Sequence, residues 1–151
     1  MWYRVFCRSE FELAPDDLIA RLREAGMSVA AKFRGDVRGW TAADLGLGTG
    51  TPVFVERYLT DADDLRNDLN TWAAYLETLD YAPNHTELME RVIQSKQLVT
   101  IRKPLDHSNE ALAERLCEQV CREISTTADG IYQIDNDGWY SARGLLLLKE
   151  Y

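Results

Sequence analysis

In the segment "TDADDLRNDLNTWAAYLETLD", five apolar residues step by four, three, four and three: Leu65, Leu69, Trp72, Leu76 and Leu79. That spacing puts all five on one stripe of an α-helix. A helix that is apolar along a single stripe must bury it against another layer. The flanking sequence predicts that the layer is a β-sheet. "WYRVFCR" alternates, with Tyr3, Val5 and Cys7 on one face and Trp2 and Phe6 on the other. "MSVAAKF" and "VRGWTAADL" read as strands joined by a turn at Arg34-Gly35-Asp36, and "GLGTGTP" as a loop. "VFVERYL" reads as a strand buried on both faces. "QLVTIRK", "GIYQI", "GWYSA" and "LLLLKE" supply four more.

Three further helices are expected. "APDDLIARLREAG" has Pro15 in its first turn, Asp16 and Asp17 at its positive end and Gly26 at its stop. Its Leu18, Ile19 and Leu22 should face the core. After Pro83, "NHTELMERVIQSK" should turn Leu88, Met89, Val92 and Ile93 inward. "SNEALAERLCEQVCREIS" should be capped near Ser108 or Asn109 and bury Leu112, Leu116, Val120 and Ile124. The predicted class is therefore α+β, a mainly antiparallel sheet with helices packed on one face. At 151 residues, one domain is expected.

The order of elements also suggests a duplication. Residues 2–59 and 97–150 each read β-α-β-β-β, joined by a helical pair across 61–95. "RGWTAA" at 38–43 matches "DGWYSA" at 137–142 in part, which would make Trp40 and Trp139 equivalent. In element order the chain resembles the effector-binding folds built from paired β-α-β-β modules, the gyrase-inhibitor-like group among them. No motif residue carries over from that group. A duplicated sheet could hold a small molecule in a cleft between its halves, with Trp40 and Trp139 as the aromatic platform.

Charge points to a different function. The net charge is -8, which disfavours a nucleic-acid partner. Residues 61–90 hold eight acids against one base, Arg66, so nearly all the excess sits on the helical pair. A field of one sign attracts a basic partner and speeds encounter with it. The leading expectation is a non-enzymatic protein-binding module, an inhibitor or immunity-type protein for a basic partner. Asp61, Asp64, Asp68 and Glu77 are its candidate contacts.

Motifs for chemistry fail on spacing. Asp135-Asn136-Asp137-Gly138 looks like a calcium loop. Aligning Gly138 to the sixth position leaves Gln133 first and Gly144 twelfth, where acids are needed. A hairpin turn placing Ile134 opposite Trp139 fits better. Cys117 and Cys121, one helical turn apart, match no zinc pattern with His85 and His107 and read as core. Neither histidine sits in a nucleophile motif. No metal and no cofactor is expected. An odd count of three cysteines, no secretory apolar segment and no run near the roughly 18 apolar residues of a membrane span point to the cytoplasm.

Overall fold

The computed structural model describes residues 1–48 and 50–151, so Thr49 of the predicted glycine loop lies outside the described residues. The elements are β1 (Trp2–Cys7), α1 (Pro15–Glu24), β2 (Ala30–Asp36), β3 (Gly39–Gly46), β4 (Val53–Leu59), α2 (Arg66–Glu77), α3 (His85–Ile93), β5 (Gln97–Arg102), α4 (Glu110–Ala128), β6 (Gly130–Ile134), β7 (Gly138–Tyr140) and β8 (Leu146–Lys149). The strands form one eight-stranded sheet in the order β2-β3-β4-β5-β1-β6-β7-β8. Every neighbouring pair is antiparallel. The α+β class and the antiparallel sheet are as the sequence predicts. Among the described residues no helix is long and apolar enough to cross a membrane.

The helices, however, are divided between the two faces of the sheet. Alternation along β1 shows why. Tyr3, Val5 and Cys7 join a core with Leu18 and Leu22 of α1 and with Leu116, Cys117, Val120, Cys121 and Ile124 of α4. Phe6 points the other way, into a second core with Leu69 and Leu76 of α2 and Leu88 and Val92 of α3. β1 lies mid-sheet and carries apolar residues of both parities, so each face needs a cover. The predicted stripe on α2 is correct: Leu65, Leu69, Leu76 and Leu79 are buried and Trp72 is half-buried. Ile93 is 44% exposed because α3 ends there, and Ile19 and Leu112 are only half-buried.

Three local predictions shift. The β2–β3 turn falls at Val37-Arg38, and Arg34–Asp36 belongs to β2, with a register break at Arg34/Gly35. A side chain on Gly35 would strike the backbone of Gly39 and Trp40, so the break needs glycine. The β6–β7 turn forms at Asp135–Asp137 with Asn136 at φ 60°, but Trp139 pairs with Gln133 while Ile134 pairs with Gly138. A one-residue difference in register puts Trp139 on the face opposite Ile134. Finally, α2 starts at Arg66, so Asp61, Asp63 and Asp64 precede the helix. They lie in a turn closed by Asp63, whose Oδ2 accepts from the Leu59 amide at 2.8 Å.

The two β-α-β-β-β runs exist but are not laid out alike. After α1 the chain enters at the far edge, β2, and works inward to β4 beside β5. After α4 it enters beside β1, at β6, and works outward to β8. Trp40 packs in the core under α1 and α4, and Trp139 in the core under α2 and α3. They lie on opposite faces and are not equivalent.

One edge of the sheet is covered. Tyr81 donates through its hydroxyl to the Lys149 carbonyl at 2.7 Å, and the Asn84 amide donates to the Leu147 carbonyl at 2.7 Å. The α2–α3 connection thereby satisfies alternate carbonyls on the outer side of β8.

Candidate functional site

Antiparallel register sets residues from successive strands in a row across the face beneath α2. Glu56, Thr100, Arg4, Gln133, Trp139 and Leu148 form one such row. Above it, Trp72 packs edge-on to Phe6 at 6.1 Å, to Trp139 at 6.0 Å and to Tyr75 at 5.6 Å. Trp72 lines two cavities, one on each side of it. One, about 380 Å³, is lined by Thr71, Trp72, Tyr75, Gln133, Asp135, Asn136 and Glu150. The other, about 320 Å³, is lined by Arg4, Tyr58, Asp63, Asp68, Trp72 and Thr100 among others. Together they form a groove with four carboxylates, three aromatic rings and a single cation.

That cation is Arg4. Its Nη1 donates to Asp135 Oδ1 at 2.6 Å and to Gln133 Oε1 at 3.0 Å, and its guanidinium lies 4.6 Å from the Trp72 ring centre. The groove therefore already holds one guanidinium between a carboxylate, an amide oxygen and an aromatic face. Gln133 is itself held by donating to Glu150 at 3.0 Å. The local potential is negative. Burial pushes the Tyr58 phenol up to about 12, with Glu56, Asp63 and Asp68 adding to the shift. Burial and then Glu150 raise Tyr75.

Of the four acids predicted to bind a partner, only Asp68 lines this groove. Asp61 pairs with Arg38 at 3.0 Å. Asp64 is exposed at φ 51°, and Glu77 is exposed at the far end of α2. The groove adds Asp63, Asp135 and Glu150. Asp135 is one of the residues of the rejected calcium loop, and its value lies in reaching Arg4 and the Trp2 amide on the neighbouring strand β1. No sequence spacing reports such a contact. Trp72 reads in the sequence only as one of the five residues of the α2 stripe, which marks it for the core and not for a groove.

The predicted cleft between Trp40 and Trp139 does not exist, because each ring fills a different core. Trp40 is 4% exposed, donates through Nε1 to the Leu13 carbonyl at 2.9 Å and meets Phe33 edge-on. Trp139 is fully buried and stacks on Phe6 at 5.3 Å.

The cysteines and histidines do not assemble. Cys117 and Cys121 lie in the core under α1 and α4, while His85 begins α3 on the other face, with Nδ1 2.8 Å from the Ala82 carbonyl oxygen. His107 is engaged by the Asn109 backbone at 3.0 Å. Among the described residues no group of three or more His, Cys, Asp or Glu is placed to hold a metal ion. Burial pushes the Cys7 and Cys117 thiols up to about 12 and Cys121 well above its ordinary value. Such thiols are poor nucleophiles at neutral pH. An aromatic disulfide reagent is expected to label none of the three in the native protein and all three after denaturation. Fast labelling of the native protein would show that the α1–α4 core is open.

Comparison with protein-family models, with curated proteins and with solved structures finds no match. The functional reading therefore rests on the geometry of the chain itself.

Proposed function

We infer that the protein is a cytoplasmic, non-enzymatic binding module whose groove along α2 takes a lysine- or arginine-bearing segment of a basic protein partner. The observation that carries this reading is Arg4, a guanidinium held against Trp72 and Asp135 by the same groups an incoming cation would meet. The remaining carboxylates, Asp63, Asp68 and Glu150, lie on either side of it. The wider acidic surface of α2 and α3 would steer the partner toward the groove. An inhibitor or immunity-type protein that masks a basic effector fits this arrangement. A second reading, a small organic cation, is favoured by the 380 Å³ cavity beside Trp72 and Tyr75, since pockets for small ligands start at roughly 300 Å³.

The test uses a fluorescent oligo-arginine peptide, with spermine as the small cation. Binding should weaken with salt, and Asp68→Lys should weaken it by about tenfold. Asp80→Lys, an equal charge change on an exposed residue away from the groove, should leave nearly full affinity. Equal losses from the two variants would mean that net charge alone attracts the peptide, and the groove reading would fail. Saturable binding of spermine without binding of the peptide would select the second reading.

A further inference from the structure

A separate cavity of about 510 Å³ lies where α3, the end of α4 and the β7–β8 loop meet. Its character contrasts with the acidic surface around it. Arg91 and Arg143 line it together with Ser125, Thr126 and Thr127, over apolar walls that include Leu88 and Leu147. Two acids also line it, Glu87 and Asp129, but Asp129 is already taken. Its carboxylate accepts from Arg8 at 2.9 and 3.2 Å and lies 3.6 Å from Arg91. Asp129 is fixed there by its left-handed backbone, φ 55°, at the end of α4.

Two donors at this cavity have nothing to bond. Ser125 is 1% exposed and its Oγ has no hydrogen-bond partner among the described residues. Arg91 Nε is buried and equally unpartnered, although one of its terminal nitrogens donates to the Asp129 carbonyl at 3.2 Å. Burial and then the neighbouring Arg8 pull the Arg91 guanidinium below its usual range, while Asp129 and Glu87 act in the opposite sense. Arg143, exposed on a loop braced by Ser141, makes no ion pair among the described residues. A buried hydroxyl and a buried guanidinium N–H that lack acceptors beside a free second guanidinium form a receptor for an oxyanion.

We propose that this cavity binds the phosphate or carboxylate group of a small organic molecule, with Arg91, Arg143 and Ser125 as its donors and Leu88 and Leu147 against its apolar body. The site is independent of the α2 groove and does not rest on that reading.

The experiment follows the arginine Nε–H and the 125–130 backbone resonances by NMR during titration with phenyl phosphate, benzoate and inorganic phosphate. Sodium chloride at matched ionic strength and neutral benzyl alcohol are the controls. At least one oxyanion should give saturable shifts at Arg91 and Arg143, and whichever of phenyl phosphate and benzoate binds more tightly names the group. Arg143→Ala should weaken binding by about tenfold or more. Ser125→Ala should weaken it while leaving the remaining spectrum in place, which separates loss of a donor from loss of fold. No saturable shift with any oxyanion, shifts reproduced by chloride, or unchanged affinity in Arg143→Ala would each overturn the proposal.

Discussion

Arg57→Ala is expected to lower stability by about 3–5 kcal/mol, the range for removing one member of a buried ionic network. The Arg57 side chain is 4% exposed and lies 3.9 Å from Glu12. Its Nε donates to Gln97 Oε1, Nη1 to the Trp40 carbonyl at 3.2 Å, and Nη2 to the Glu10 carbonyl at 3.3 Å. Gln97 in turn donates to the Ser9 and Phe11 carbonyls at 3.0 and 3.2 Å. Glu12 accepts from the Trp40 amide at 2.8 Å, and Gly39 makes room for it, since a side chain there would collide with the Glu12 carboxylate. One guanidinium thus ties the β1–α1 connection, residues 8–14, to three strands. Alanine would strand at least two buried acceptors, at about 1–3 kcal/mol each. Denaturant unfolding should show the loss, and limited proteolysis should find new cleavage in the connection. Arg57→Lys keeps the charge but not the fork, so it should fall between wild type and alanine. A midpoint unchanged in Arg57→Ala would mean that water replaces the guanidinium freely.

Trp139 gives the second large effect and a sharper contrast. Trp139→Ala should cost about 3–5 kcal/mol, because it empties the centre of the core under α2 and α3. Trp139→Phe should cost about 1.5 kcal/mol or less. The reason is the buried Nε1–H of Trp139, which has no acceptor among the described residues. Phenylalanine removes that unsatisfied donor while retaining the stack on Phe6, and the gain offsets part of the lost area. Because Trp139 supports Trp72, the alanine variant should also loosen α2 and lose the oligo-arginine peptide. The phenylalanine variant should keep it. A Trp139→Phe variant as unstable as Trp139→Ala would show that the indole N–H is satisfied and that ring size alone decides.

Elements with a clean period were legible from the sequence. The α2 stripe and the Asn109 cap, whose Oδ1 accepts from the Leu112 amide at 3.2 Å, were visible as local patterns. So was the alternation of β1, whereas the two-sided burial expected of "VFVERYL" is not found: β4 alternates buried and half-buried residues. Assigning helices to faces was harder, because it depends on where each strand enters the sheet, and α1 and α4 deliver their strands to different places. The turn after β6 was read correctly, but its register was misplaced by one, since the loop needs three residues rather than two. The acidic segment 61–90 correctly marked the helical pair. It missed Asp135 and Glu150, which enter the groove from the sheet side and are separated from Trp72 by more than sixty residues of chain. Charge composition reports only what is contiguous.

The contacts from Tyr81 and Asn84 to β8 have a consequence for self-association. They give the sheet one blocked end and one open end, β2, which carries the exposed cations Lys32 and Arg34. Strand addition can extend such a sheet in one direction only. Two copies joined through β2 would each present a blocked β8 outward, so edge-to-edge growth would end at a pair and could not run on into a fibre.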